Sequence, residues 1–458
     1  MNMTTRGCAA RMVADDQNRR RITRRGFVRA TTVAGAGGLV LGGIGGALGG
    51  HASAGGQTIS GGPARGQELR VVLAAPMTGD AASWGRESKN GALMAIDEIN
   101  ANGGVLGGTL KYVEVDLGDW NDPANVRQVF SRIVDTESPD VIVCPAVNAM
   151  GPDLDVVADA GVLYFHASTR EDWRTIYHKN PQRYWGVFQC DPAETAYGTG
   201  VGQFFDQLVN SGEFRPPNGK TVAIAAGYDP TGSQIAKTFQ AKIKELGWEV
   251  VSFDTVQSGQ ITDWGPVLSK VRQNSPSVFF TSDYFPPDNA ALAKQWAAAP
   301  IPALVYQHYA PSDPDYAKLA GSAGNGIIWS SVLALLVDPI GNDFRDRYRK
   351  RYHTAAGWSY AGGVYDQVKL WAHCAALSGD PKDYRRVART VEQTPVRGVT
   401  GCLYLDKHIN AAYPVEQPDP TLAQPQIIAQ VRDGGHTVFY PEPYTNGKFQ
   451  LPPWMPKG

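Results

Sequence analysis

The sequence predicts an α/β protein built as two doubly wound lobes, each around a parallel sheet. Two observations carry that expectation. Short apolar runs of strand length alternate with stretches of helical period, and the alternation starts afresh after Asp191, so one sheet is filled and then another. The chain has 458 residues, 43% hydrophobic and 19% charged, which gives length for two or three domains and apolar content for large cores.

The elements follow in order. The run "LRVVLAAP" is apolar and ends at Pro76, as a buried strand does. In "ESKNGALMAIDEINANGG" Ala92, Leu93, Ile96 and Ile99 recur on one helical face, and Gly103 and Gly104 stop the helix. The stretch "TLKYVEVDLGD" alternates Val113, Val115 and Leu117 as a strand. Asp122-Pro123 then caps a helix that turns Val126, Phe130, Ile133 and Val134 inward. Strands at "DVIVCPA", "VLYFHAS" and "RYWGVFQ", with a helix near 151–160, complete the first block. The second block has helices near 193–210, 231–246, 263–274 and 288–298, with strands at "TVAIAA", "WEVVSFD", "SVFFTS" and "PALVYQ". From Gly326 the pattern turns mostly helical before short strands at "GCLYLD", "QIIAQVR" and "HTVFY".

Residues 1–54 differ from the rest. The basic stretch "NRRRITRRGFVRA" precedes an apolar region from Ala30 to Gly50, and Ala52-Ser53-Ala54 supplies a small-residue cleavage site after Ala54. That order is an export signal, with Arg24 and Arg25 as its twin-arginine pair. Nine of the 21 residues from Ala30 to Gly50 are glycine, which makes a poor membrane anchor. No cysteine follows that region, so no lipid anchor is expected. The expected mature protein is soluble, periplasmic or secreted, and begins with a Gly-rich linker over 55–67.

Without those 54 residues the chain holds 35 basic and 42 acidic side chains. That balance excludes a general nucleic-acid binder. Cys144, Cys190, Cys374 and Cys402 remain, with no C-x-x-C and no zinc spacing. A Cys374–Cys402 disulfide and four buried free thiols are both open. The histidines have no metal-ligand spacing, so neither metal nor cofactor is expected.

In open α/β sheets ligands bind outside the carboxyl ends of the strands. The first block offers Trp84, Asn148, Ala149, Ser168, Thr169 and Arg170 there, and the second Tyr228, Asp229, Asp283, Tyr284, His308 and Tyr309. This mixture of hydroxyls, amides, aromatics and a few charges suits a small polar ligand. Enzyme motifs are weak. In "GWSYAGG" Ser359 approaches a nucleophile elbow, but a charged helix stands where a strand is required.

The run "VVLAAPMTGDAASWGRESKNGALMAIDEINANGGV" resembles the branched-chain amino-acid type of periplasmic substrate-binding protein, the receptor of ABC importers. The strand ending in Pro76, Thr78-Gly79, Gly85, "AIDEINANGGV", Asp116 and Asp122-Pro123 carry the likeness. It implies the type I periplasmic binding protein fold: two Rossmann-like lobes joined by three crossings, here near Cys190, Gly326 and Gly398. Lobe 1 is then 68–190 plus 327–397, and lobe 2 is 191–326 plus 398–458 with a C-terminal extension. It also implies a monomer that is not an enzyme, a small-molecule ligand between the lobes and ABC permease subunits as partners. The ligand carboxylate is expected at Val147-Asn148-Ala149 and Ser168-Thr169-Arg170.

Amino-acid binders of that family place an acidic residue after the strand that here ends in "VYQHYAP". His308 stands there instead, with Gln307 beside it. Either Asp283 supplies the negative charge, or the ligand lacks an ammonium and is an amide, a carboxylic acid or an aromatic acid. On the second branch simple branched-chain amino acids bind poorly. An exported hydrolase-like enzyme and a ligand-sensing receptor of the same fold are the other readings.

Overall fold

The computed structural model describes residues 62–406, 408–412 and 419–456. The expected export signal, its Arg24–Arg25 pair and the Ala54 cleavage site lie outside them.

Two seven-stranded sheets account for the architecture. The first is entered through β1 (Glu68–Ala75), α1 (Ala82–Ala101), β2 (Thr109–Asp116), α2 (Pro123–Arg132) and β3 (Val141–Cys144). Next come α3 (Pro152–Ala160), β4 (Tyr164–His166), α4 (Asp172–Lys179) and β5 (Val187–Gln189). The second sheet takes over with α5 (Thr195–Asn210), β6 (Thr221–Gly227), α6 (Pro230–Glu245), β7 (Glu249–Val256) and α7 (Gly265–Asn274). It continues through β8 (Val278–Thr281), α8 (Pro286–Ala298), β9 (Leu304–Gln307), α9 (Pro314–Ala320) and β10 (Ile328–Ser331). Helices α10 (Pro339–Tyr352), α11 (Tyr360–Ser378) and α12 (Tyr384–Val391) follow, then β11 (Val396–Arg397) and β12 (Cys402–Leu403), a separate two-stranded pair. The last strands are β13 (Leu405–Asp406), β14 (Ala411–Ala412), β15 (Ile427–Arg432) and β16 (Gly435–Tyr440).

The strand orders are β13-β14-β5-β4-β3-β1-β2 and β16-β15-β10-β9-β8-β6-β7. Strands β1 to β5 run parallel, as do β6 to β10. In each sheet the chain winds to one edge and then back, so a switch point opens beside β1 and beside β6. A repeated dipeptide starts the helices that follow. Asp122, Asp229, Asp313 and Asp338 each precede a proline, and each carboxylate accepts a helix N–H at 2.7–2.9 Å. The proline fixes the first helical φ and lacks the N–H that would go unpaired.

Burial sets the rest. The four residues of β3, β8, β9 and β10 are all buried, as strands covered on both faces must be. Phe239 stacks on Phe280 and Phe280 on Tyr306, with centroids 3.9 and 4.9 Å apart. Helix α1 lies against α11 so closely that a Cβ on Gly91 would meet the Ala361 carbonyl oxygen at 2.0 Å. All four cysteines of the described residues are buried and free, so the Cys374–Cys402 disulfide is not formed.

Several elements depart from the pattern read in the sequence. Strand β10 lies in the region expected to be helical, and α4 and α9 were not expected. The chain changes sheet between β5 and α5, between β10 and α10, and between β14 and β15. The second change therefore falls after Ser331 rather than near Gly326, because Ile328–Ser331 still pairs with Leu304–Gln307's strand and with β15. The third falls after Ala412 rather than near Gly398, because β14 pairs with β5 at the edge of the first sheet.

Candidate ligand cleft

A cavity of about 70 Å³ lies where the carboxyl ends of the two sheets face each other. A water needs only about 10–15 Å³ by the same kind of measure, so the space is of small-molecule size. Almost every strand end contributes. Trp84 follows β1, Trp120 follows β2, Ala146 to Asn148 follow β3, and Ala167 to Thr169 follow β4. Asp191 follows β5, Thr231 follows β6, Tyr284 follows β8, His308 and Tyr309 follow β9, and Leu333 follows β10. Tyr197 and Tyr360 enter from the first turns of α5 and α11.

The walls are aromatic and reach across both lobes. Trp84 stacks on Tyr360 at 4.9 Å and meets Trp120 edge-on at 5.5 Å. The same indole approaches Tyr284 at 6.2 Å and Tyr309 at 6.5 Å on the other lobe. Tyr197 presents its ring edge-on to His308 at 4.4 Å. The Tyr306 hydroxyl stands 3.3 Å from Nδ1 of His308. Burial without a charged partner lowers the His308 pKa to about 3, so the imidazole is neutral at physiological pH.

Most polar groups of the lining are already engaged. Val147 N–H donates to Ser168 Oγ (3.1 Å), and Thr169 N–H to Asp191 Oδ1 (3.4 Å). Asn148 donates to Asn121 (2.7 Å) and accepts from Thr231 (3.3 Å). Thr169 holds φ at +42°, unusual for a β-branched residue, and its carbonyl accepts from Glu194 N–H at 2.6 Å. One buried polar atom of the lining, Asp191 Oδ2, has no hydrogen-bond partner among the described residues. Burial raises the Asp191 carboxyl well above the usual range, and neighbouring Glu194 adds to the shift.

Of the residues read from the sequence, Trp84, Asn148, Ser168, Thr169, Tyr284, His308 and Tyr309 come together around this cavity. The other five stand elsewhere. Ala149 gives its N–H to the Trp120 carbonyl at 3.1 Å. Arg170 pairs with Asp172, lies 3.8 Å from Glu194 and reaches Thr231 at 3.5 Å. Tyr228 is 69% exposed. Asp229 caps α6 and accepts the Tyr284 hydroxyl at 3.2 Å. Asp283 is wholly buried outside the lining, its Oδ2 accepting from Asn289. Asp191 and Tyr197 are absent from the sequence reading: the strand-end rule covers Asp191, which stands beside the expected crossing at Cys190, and Tyr197 lies on the expected helix near 193–210. Nothing local marks Tyr360 or Leu333.

The chain matches the periplasmic binding protein family over residues 68–435. It belongs to that family. A relative in Pseudomonas aeruginosa, a leucine-, isoleucine-, valine-, threonine- and alanine-binding protein, is 24% identical over 74% of this chain and 86% of its own. A Silicibacter pomeroyi structure, provisionally assigned to a branched-chain amino acid ABC transporter, superposes with a TM-score of 0.79 at 32% identity, over 85% of this chain and all of that one. A solute-binding protein of an R. palustris ABC transporter, solved with benzoate, shares the fold at 16% identity and a TM-score of 0.64, over 81% of this chain and 95% of that one. As a periplasmic binding protein the chain has the type I fold and is a binding protein rather than an enzyme. Ser359 fits that conclusion: its hydroxyl is buried against Ser331 at 3.1 Å, at the start of α11 and with no strand before it. The family is extracytoplasmic, and no helix among the described residues is long and apolar enough to cross a membrane.

Proposed function

We propose that the protein is an extracytoplasmic receptor that captures a small organic solute between its lobes and delivers it to the membrane subunits of an ABC importer. The observation that carries this reading is the cavity itself, walled by strand ends of both sheets. A ligand bound there touches both lobes, so its binding energy favours their approach, and the closed form is what a transporter can recognise. The aromatic walls and the few polar groups suit an amino acid, an amide or a small aromatic acid. The relatives bind branched-chain amino acids or benzoate, which brackets the same range. A thermal-shift screen of residues 55–458 against those compounds tests the reading. A ligand at 100 times its Kd stabilises by about 2.7 kcal/mol. Trp84→Ala should abolish the shift, and a shift that survives it argues for binding outside the cleft.

A further inference from the structure

We propose that the backbone turn at Tyr309 forms only while the lobes are together and relaxes when they part, so that it opposes closure until a ligand fills the cleft. The inference rests on the reading of this cavity as the site of a closing receptor.

Tyr309 holds φ at +59° and ψ at −38°. Ser138, Ser275 and His353 also have positive φ, but their ψ values of 58°, 56° and 24° place them in the left-handed helical region, where helices commonly end. Tyr309 lies outside that region. Its neighbours close a three-residue turn, with Ala310 N–H donating to the His308 carbonyl at 2.6 Å. A γ-turn with a positive central φ is rare and strained. Such a conformation persists only where its surroundings hold it, and it collects at sites that switch or clamp.

Much of what holds this one comes from the opposite lobe. The buried Tyr309 ring meets Tyr360 at 5.7 Å and Trp84 at 6.5 Å, both edge-on, and those two rings stack on each other in lobe 1. Just past the turn, the Ser312 carbonyl accepts Trp358 N–H at 3.0 Å. The next residue, Asp313, accepts the Ser83 hydroxyl at 2.8 Å. Ser83, Trp84, Trp358 and Tyr360 all belong to lobe 1, whereas His308 to Asp313 follow β9 of lobe 2. Parting the lobes removes the ring contacts and both bonds together, and nothing from lobe 1 then offsets the strain. A ligand that draws the lobes together restores these contacts. Part of its binding energy is then held as strain at Tyr309, and the return of that energy favours opening and release.

The test separates the backbone from the ring. Tyr309→Gly and Tyr309→Ala both delete the ring, but only glycine takes this φ and ψ without strain. The two variants of residues 55–458 are compared by calorimetry with L-leucine and with benzoate, and by melting without any ligand. The expected result is that a probe binds Tyr309→Gly roughly fivefold or more tightly than Tyr309→Ala. The empty alanine variant should melt no lower than the empty glycine variant, because the open form does not use the turn and glycine loosens the unfolded chain. Equal affinities would overturn the inference and leave the receptor reading intact. So would an empty alanine variant that melts several degrees lower, since the strain would then be permanent. If neither probe binds at millimolar concentration, the melting comparison decides on the same terms. If neither variant folds, amide exchange at Ala310 in the wild type decides. It should be roughly tenfold faster in the empty than in the probe-bound protein, and equal rates would overturn the inference. Binding that survives Trp84→Ala counts against the receptor reading of this cavity and not against the strain, which the melting comparison judges separately.

Discussion

The Thr231 hydroxyl, at the start of α6 in one lobe, donates to Asn148 Oδ1 in the other at 3.3 Å. Arg170, beside Asn148's strand end, reaches the same hydroxyl at 3.5 Å. Both bonds are long, and both exist only while the lobes are together. Thr231→Val removes them and keeps the shape of the side chain. The closed form should lose about 1 kcal/mol, or roughly fivefold in Kd, for any ligand that requires closure. Calorimetry on wild type and variant measures it, and an unchanged Kd would show that these bonds do not contribute to closure.

Motion follows from the same contacts. Ser83 donates to Asp313 across the lips of the cleft at 2.8 Å, and Trp84 packs on rings of the opposite lobe. These contacts are few beside the cores of the lobes, so the empty protein should open by hinge rotation. Small-angle scattering should report a smaller radius of gyration with saturating ligand than without. Identical curves would count against a hinge.

His308 gives a pH prediction. Its folded pKa is about 3, against 6.5 for an unburied imidazole. The unfolded chain therefore binds a proton that the folded chain refuses. His308's contribution is intact above pH 6.5 and is lost as the pH falls toward 3. Buried carboxyls such as Asp366, raised to about 6, pull the opposite way: their contribution is fully present below their unfolded pKa and is lost as pH rises through 6. The difference between wild type and His308→Gln isolates the histidine. Between pH 7 and 4.5 the wild type should lose up to about 2 kcal/mol more than the variant. Parallel denaturation curves at the two pH values would place His308 in water rather than in the cleft wall.

Export is testable without a ligand. Arg24→Lys with Arg25→Lys should hold the precursor in the cytoplasm if the twin-arginine reading is right. Undiminished export of that double variant points to the general secretory route instead.

Much of the fold was legible because apolar period and Asp-Pro caps are local signals. Helices α2 and α6 start where Asp122 and Asp229 stand, since a capping carboxylate acts within three residues. What stayed hidden depends on distant partners. Strand β10 is defined by pairing with β9 and β15, and the two residues of β14 by pairing with β5. In the site, the strand-end rule gathers seven of the twelve expected residues around the cavity. It cannot say which side chains turn away: Asp283 gives its Oδ2 to Asn289, and Asp229 caps its own helix. The expectation that simple branched-chain amino acids bind poorly rested on His308 in place of an acidic residue; His308 lines the cavity and Asp283 does not, and calorimetry with leucine, isoleucine and valine tests it.

The outer strands of the two sheets come from the end of the chain: β13 and β14 close the first, β15 and β16 the second. A nascent polypeptide that has emerged only as far as α12 would hold both sheets with an unprotected flank, where stray strands can add. Completion of either sheet must wait until its last strands, within Leu405–Tyr440, have been made. Ribosome-arrested chains ending before Ala411 should accordingly be sensitive to protease and to chaperone capture in both halves at once, rather than maturing one lobe ahead of the other.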